Sequence, residues 1–108
     1  MTKKNDLQKI IISALEDIKA FDILTIDVRK KTSIADYMII ASANSTRQTR
    51  ALAGHIKDKL KSNGIEIQGI EGESDGEWVL VDANEILIHI MIPTTRAYYN
   101  LEQLWQSK

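Results

Sequence analysis

The sixteen residues "GEWVLVDANEILIHIM", Gly76–Met91, predict a β-hairpin whose two faces differ in composition. Alternation with a period of two on both sides of "DANE" is typical of paired strands. One surface, which we call the β-branched face, contains Val79, Val81, Ile86, Ile88 and Ile90. The other, which we call the mixed face, contains Trp78, Leu80, Leu87, His89 and Met91. The side chains of the β-branched face suit a packed core. A core alone does not require the indole and the imidazole of the mixed face, so the mixed face is a candidate for a second role.

The length of the turn decides which side chains of the mixed face meet across the hairpin. If the turn at Asp82–Glu85 has two or four loop residues, Trp78 lies directly opposite His89. Leu80 then lies opposite Leu87, whereas a loop of odd length would break this pairing.

Two readings of the mixed face stay open at this point. A short last helix could cover it completely with Leu104 and Trp105. Alternatively, part of the face remains exposed, because aromatic and histidine side chains on an incompletely covered sheet are also the composition of an interface core.

The remaining sequence predicts an α/β domain with the element order α-β-β-α-β-β-β-α. The first helix has an apolar stripe at helical spacing: Leu7, Ile10, Ile11, Ala14, Leu15 and Ile18. A second helix begins at the capping pair Ser45 and Gln48 and stops at Gly64. Its stripe is Leu52, Ala53, Ile56 and Leu60. We expect these two helices to cover the β-branched face.

Three further strands and a short last helix complete the predicted fold. The strands are "DILTIDVRK" (22–30), "DYMIIAS" (36–42) and "IEIQGIE" (65–71), of which the second is apolar on both sides and suits a central position. Asn100 is expected to cap the last helix, whose apolar side is Leu101, Leu104 and Trp105. The sequence therefore predicts a single domain over residues 1–108, with a mixed five-stranded sheet and helices packed on it.

Composition excludes several classes of function. The 14 basic and 15 acidic residues give a net charge of -1, which argues against an unaided charge-driven grip on nucleic acid. No apolar run reaches the roughly 18 residues of a membrane span. Cysteine is absent, which excludes thiolate chemistry. This composition, without a signal-peptide pattern, leads us to expect a cytoplasmic protein with no membrane partner.

No catalytic or metal-binding pattern stands out, and we predict neither enzymatic activity nor a cofactor. Asp27, Asp36 and Asp82 lie near strand ends, where carboxylates could hold Mg²⁺, but no paired-carboxylate or phosphate-loop pattern accompanies them. His55 and His89 are far apart in the sequence and make a poor zinc site without cysteine.

Two arginines depart from local preference. Arg47 and Arg50 lie in the first turns of the second helix, at the positive end of its dipole. They are either a solvated pair or contacts for an acidic partner or an RNA phosphate.

Several motifs together resemble the Iojap, or ribosomal silencing factor, family. They are "DY" at 36–37, "S-x-R" at 45–47, "G-x-W-x-L-x-D" at 76–82, His89, and "R-x-x-Y-x-L-E-x-L-W" at 96–105. The resemblance extends from about Leu7 to Trp105. Asn100 departs from the family pattern, which often has Asp there.

The resemblance implies a fold related to nucleotidyltransferases without known enzymatic activity. It also implies a protein that binds the large ribosomal subunit at protein L fourteen, blocks joining of the small subunit and represses translation when nutrients are scarce. A minor contact with ribosomal RNA is part of this expectation. The partner-binding residues carried over by the resemblance are Trp78, Leu80, Asp82 and His89, with Arg47, Arg96 and Tyr99 either touching the partner or bracing the site. A nucleotidyltransferase-type enzyme and a homodimeric scaffold are the alternatives.

Overall fold

The computed structural model describes residues 4–106, in which four helices and five strands form an α/β fold. In chain order they are α1 (Lys4–Asp17), β1 (Phe21–Asp27), β2 (Tyr37–Ser42), α2 (Thr46–Ser62), β3 (Gly69–Glu71), β4 (Trp78–Asp82), β5 (Ile86–Met91), α3 (Pro93–Tyr99) and α4 (Leu101–Gln106). The predicted fold class and the order of the first seven elements are confirmed. None of the helices within residues 4–106 combines the length and the apolar character that a membrane span requires.

The five strands form one mixed sheet in the order β1-β2-β5-β4-β3. Strand β2 pairs with β5 in parallel, and the other three pairs are antiparallel. The predicted central strand, β2, indeed lies between two partners, and β5 lies beside it at the middle of the sheet. The short strand β3 is one edge, next to β4.

The β-branched face is the core of the protein, as the sequence predicts. Its five side chains are fully buried, and α1 and α2 pack against them through the two predicted apolar stripes. Complete burial of one aliphatic side chain contributes roughly 1.5–3 kcal/mol. This helical layer therefore fixes which surface of the hairpin points inward.

Helix α2 begins as predicted at a side-chain cap. The Ser45 hydroxyl accepts a hydrogen bond from the Gln48 backbone N–H at 3.1 Å. The Gln48 side chain accepts from the Asn44 N–H and donates to the Ile18 carbonyl at 2.7 Å, so it also ties α2 to the segment after α1. Gly64, with φ of 76°, follows the end of the helix.

The predicted hairpin register is wrong by two residues. His89 pairs with Leu80, Trp78 pairs with Met91, and Leu87 pairs with Asp82. The Ala83 N–H donates to the Ile86 carbonyl, so the chain reverses at Asn84 and Glu85. Asn84 adopts the left-handed φ of 69° and its N–H bonds the Asp82 carboxylate, which is why the turn forms there. A shift of two keeps every side chain on its predicted face.

The predicted third strand is shorter than its alternating pattern suggested. Only Gly69–Glu71 pairs with β4, although the Gln68 N–H still bonds the Asp82 carbonyl. Strand β4 ends at Asp82, so residues 65–67 have no further partner on that side.

The C-terminal segment forms two short helices where the sequence predicted one. Asn100 adopts a left-handed conformation with φ of 49° and closes α3, so α4 starts in a new direction. Within α4, Leu101 is buried and Trp105 packs beside it, whereas Leu104 is 67% exposed. The predicted apolar side of this helix was therefore wrong for Leu104.

Helix α4 covers only one half of the mixed side of the sheet. Leu101 and Trp105 pack over β1 and β2 in a second cluster, which contains Ile26, Val28, Met38 and Ile40. Trp78 and Leu87 lie at the margin of that cluster, and Leu80 belongs to neither cluster. Complete coverage of the mixed face by the last helix is thus excluded.

The loop between β3 and β4 has a glycine with a left-handed φ near each of its two ends. Gly72 and Gly76 have φ of 88° and 76°, and the Gly76 N–H bonds the Gly72 carbonyl at 3.1 Å. A Cβ on Gly72 would lie 2.1 Å from the Trp78 carbonyl oxygen. The loop can therefore pass close to β4 only because this position has no side chain.

We expect Gly72→Ala to lower the free energy of unfolding by about 2 kcal/mol or more, because it combines a left-handed φ with a backbone clash. Gly69→Ala is the matched control, because its Cβ would meet no atom within 4 Å. Urea unfolding of both variants checks this. Equal unfolding midpoints for the two would contradict the described loop geometry.

Candidate partner-binding site

A groove lies on the uncovered half of the mixed face, between the β3–β4 loop and α3. It has a volume of about 340 Å³. Its lining residues are Glu71, Gly72, Asp75, Glu77, Trp78, Leu80, Thr95 and Tyr99. Trp78, Leu80 and Tyr99, which we call the apolar floor, are three of the seven residues predicted from the sequence.

Trp78 is held from two sides at the centre of this floor. Its indole N–H donates to His89 Nδ1 at 3.0 Å. Its ring centroid lies 4.8 Å from that of Tyr99 with the planes tilted by 52°, a favourable aromatic arrangement. Although Trp78 and His89 are not directly opposed in the ladder, their side chains meet diagonally across it, within the reach of long side chains.

His89 supports Trp78 from beneath the surface. It is only 7% exposed, and burial lowers the pKa of its imidazole to about 4. Because Nδ1 accepts the indole N–H, the neutral ring carries its proton on Nε2, which is buried without a hydrogen-bond partner among residues 4–106. Protonation of Nδ1 would break the bond to Trp78, so the observed geometry requires the neutral ring.

Tyr99 reaches the groove because α3 ends there. Asn100 stops the helix immediately after Tyr99, and Tyr99 packs edge-on against Tyr98 at a centroid distance of 5.0 Å. The Tyr99 side chain stays 53% exposed. Tryptophan and tyrosine are enriched among the residues that dominate binding at protein interfaces, so this tilted pair is a candidate anchor.

Arg96 braces α3 on the sheet. Its guanidinium donates to the Glu102 carboxylate at 2.9 Å, the Ser42 hydroxyl at 2.8 Å and the Asp22 carbonyl at 2.6 Å. The side chain is 11% exposed. Its contacts are internal, so it fixes the angle at which α3 presents Tyr99.

The other two predicted residues lie outside the groove. Asp82 is on the same face as Leu80 but at the far end of β4, where it accepts the Asn84 N–H at the turn. Arg47 is exposed on α2, in the layer on the opposite side of the sheet. The structure thus brings together Trp78, Leu80, His89 and Tyr99 and leaves Arg47 apart.

The sequence reasoning missed five residues that line the groove: Glu71, Gly72, Asp75, Glu77 and Thr95. It named Arg50 as a solvated cation or a contact for an acidic partner or an RNA phosphate, whereas its guanidinium donates to the carbonyls of Glu73 and Ser74 in the loop. The loop acids could have been noticed from their density, but their position beside Trp78 depends on the turn at Gly72.

The carboxylates considered as Mg²⁺ ligands have protein partners. Asp27 forms an ion pair with Arg29 at 2.6 Å, and its hydrogen bonds to that guanidinium lower the pKa of the Asp27 carboxyl to about 2. Asp82 accepts the Asn84 N–H. Among the described residues, no group of three or more histidine or acidic side chains is arranged to hold a metal ion.

The buried neutral His89 predicts a stability that depends on pH. Above the ordinary histidine pKa of about 6.5, the ring is neutral in both states and the full stability is present. As the pH falls toward 4, only the unfolded chain binds the proton, so the free energy of unfolding falls, by roughly 2 kcal/mol between pH 7 and pH 5. Urea unfolding at both pH values measures this.

Two variants test whether the His89 imidazole causes this pH dependence of stability. His89→Gln should remove most of this pH dependence, whereas His55→Gln should keep it, because His55 is a surface residue bonded to Asp17. An equal loss of stability between pH 7 and pH 5 in His89→Gln and the wild type would show that another group titrates.

Comparison with known proteins identifies the family. The model of the family described as "Ribosomal silencing factor during starvation" matches residues 1–108. The ribosomal silencing factor RsfS of Chromobacterium violaceum is 48% identical over 100 residues, which are 93% of this chain and 82% of that protein. RsfS of Zymomonas mobilis is 43% identical over 99 residues, 92% of this chain and 74% of that protein.

The fold agrees with a solved structure as well. A crystal structure of a protein from Chromobacterium violaceum superposes with a TM-score of 0.95 at 45% identity and covers 99% of this chain and 89% of that chain. The resemblance carried by the sequence motifs is confirmed, and the chain belongs to the ribosomal silencing factor family.

Proposed function

We propose that this protein binds the large ribosomal subunit at protein L fourteen and acts in the cytoplasm as a translation repressor under nutrient limitation. By occupying the face where the small subunit docks, it prevents the two subunits from joining. The names of the Chromobacterium violaceum and Zymomonas mobilis relatives, both ribosomal silencing factors, support a ribosomal partner.

The observation that carries the proposal is the apolar floor. Helix α4 packs over β1 and β2, in a cluster that also contains Met91 of β5 but not Leu80. Trp78 and Leu80 remain half-buried and Tyr99 more than half exposed. Tryptophan and tyrosine at such positions dominate the binding energy of protein interfaces.

Some of the site residues contact the partner, and others hold those contacting side chains in position. Trp78, Leu80 and Tyr99 contact the partner directly, and Asp82 extends this surface along β4. His89 and Arg96 brace the surface from within, through Trp78 and α3 respectively. Arg47 remains the candidate for a minor contact with ribosomal RNA, because it is the exposed cation at the start of α2.

Self-association is the second candidate, because the same apolar floor could bind a second copy. Tyr98, which packs against Tyr99 of the floor, is 82% exposed and adds apolar surface beside it. A homodimer through this surface would compete with binding to the ribosome. Analytical ultracentrifugation across a concentration series, with Tyr99→Ala for comparison, measures this.

We expect the protein to co-sediment with purified large subunits and not with small subunits. Its near-neutral charge gives little non-specific attraction to RNA, so raising the salt concentration should weaken binding only moderately. Equal retention on both subunits, or on protein-free ribosomal RNA, would defeat the proposal.

We expect Trp78→Ala to weaken binding to the large subunit about thirtyfold, the equivalent of ~2 kcal/mol for a central anchor. The loss of stability should be smaller than the ~3–5 kcal/mol of a fully buried tryptophan, because the side chain lies at the margin of the core. Sedimentation and urea unfolding of the same preparation separate the two effects.

A matched control removes an exposed apolar side chain elsewhere. Ile34, between β1 and β2, is 72% exposed, so Ile34→Ala should bind and unfold like the wild type. If Trp78→Ala binds at wild-type strength, Trp78 is not an anchor and the partner surface lies elsewhere.

A further inference from the structure

Acidic and basic residues are unevenly distributed along this chain. Residues 62–95 contain seven acidic side chains and no lysine or arginine. The seven are Glu66, Glu71, Glu73, Asp75, Glu77, Asp82 and Glu85. This segment contains β3, β4, β5 and the loop between β3 and β4, so that edge of the sheet is acidic although the whole protein is nearly neutral.

Three of these acids stand beside the apolar floor. Glu71, Asp75 and Glu77, which we call the acidic wall, line the groove together with the floor and are all exposed. Among the described residues, no basic nitrogen lies within 4.0 Å of their carboxylates. Three like charges around one groove disfavour any occupant with phosphate groups and favour a cation.

The backbone that carries the acidic wall is fixed before any partner arrives. The Thr49 hydroxyl donates to the Gly76 carbonyl at 2.6 Å, in a buried contact. Arg50 donates to the Glu73 and Ser74 carbonyls at 2.7 and 3.0 Å. A Cβ on Gly76 would lie 2.9 Å from Thr46, so α2 and the loop are in tight contact.

One side chain of the wall, that of Asp75, is also held in place. The Asp75 carboxylate accepts the Glu77 N–H at 3.0 Å, which holds the end of the loop in a defined turn. Because a preorganised site loses little conformational entropy on binding, such a loop suits selection of one kind of partner.

We propose, resting on the proposed function, that the groove takes a basic segment of the protein partner, with an arginine side chain lying against Trp78 and Tyr99 and its guanidinium facing the acidic wall. A planar guanidinium stacks on aromatic rings and forms charge-assisted hydrogen bonds with carboxylates, which satisfies both parts of the groove at once. RNA is excluded from this groove by charge. Arg50 is a positioning residue that keeps the wall in place.

The experiment uses a peptide, so it does not depend on the ribosome. The side-chain N–H resonance of Trp78 is followed by NMR while acetyl-triarginine amide, or its uncharged tricitrulline counterpart, is added to the full chain. We expect a saturable shift with triarginine in the millimolar range and none with tricitrulline. Trp105, whose ring lies over β1 and β2, is the internal reference.

The matched variants change charge without changing shape. Asp75→Asn with Glu77→Gln keeps the turn-forming acceptor and should weaken triarginine binding at least fivefold. Glu16→Gln with Asp58→Asn makes the same change in net charge on exposed positions of the helical layer and should leave binding unchanged. Failure of triarginine to shift Trp78, an equal response to tricitrulline, or an equal loss in both double variants overturns the proposal.

The role of Arg50 is tested by Arg50→Lys, which keeps the positive charge but lacks the guanidinium that donates to the Glu73 and Ser74 carbonyls. We expect faster amide hydrogen exchange in residues 73–77 and weaker triarginine binding, with the urea midpoint nearly unchanged. Wild-type exchange and binding in this variant would remove Arg50 from the proposal.

The two proposals fail separately. A wild-type protein that binds triarginine at Trp78 but does not sediment with the large subunit would defeat the ribosomal function and leave the groove chemistry standing. A protein that sediments with the large subunit but ignores triarginine would defeat the groove chemistry and leave the ribosomal function standing.

Discussion

The position of β5 at the middle of the sheet is the constraint on which the rest of the structure depends. It pairs in parallel with β2 and in antiparallel with β4, and alternate residues of β5 point to opposite sides. Ile86, Ile88 and Ile90 can be buried only against α1 and α2, so Leu87, His89 and Met91 must face the other way. A shift of one residue would exchange the two sets, at the cost of burying His89 in an aliphatic core.

The second side of the sheet combines folding and recognition because the C-terminal segment covers it unevenly. Asn100 breaks that segment, so α4 packs on β1 and β2 while α3 stops beside β4. Arg96 links α3 to Ser42 and Asp22, and His89 holds the indole of Trp78. The rings at the surface are therefore supported by hydrogen bonds to the sheet, and a surface of this kind can stay open to solvent without losing its shape.

The acidic edge of the sheet illustrates how a neutral protein can present a strongly charged surface. All 14 lysines and arginines lie outside residues 62–95, which contain seven aspartates and glutamates. Arg50 on α2 donates to backbone carbonyls of the β3–β4 loop, and among the described residues it forms no ion pair with a carboxylate of the acidic wall. Local charge, and not net charge, then determines which partner fits.

The sequence by itself determined the fold class, both core stripes, the cap at Ser45 and the assignment of every hairpin residue to its face, because these depend on periodicity and on local hydrogen bonds. It also named Trp78, Leu80, His89 and Tyr99, through the family motifs. Only the tertiary structure decided the turn at Asn84 and Glu85, the break at Asn100 and the exposure of Leu104, since both asparagines adopt left-handed conformations that no periodicity reveals. The diagonal contact of Trp78 with His89 follows from the register that this turn sets, and the groove itself depends on a distant segment, because α3 must bring Tyr99 to Trp78.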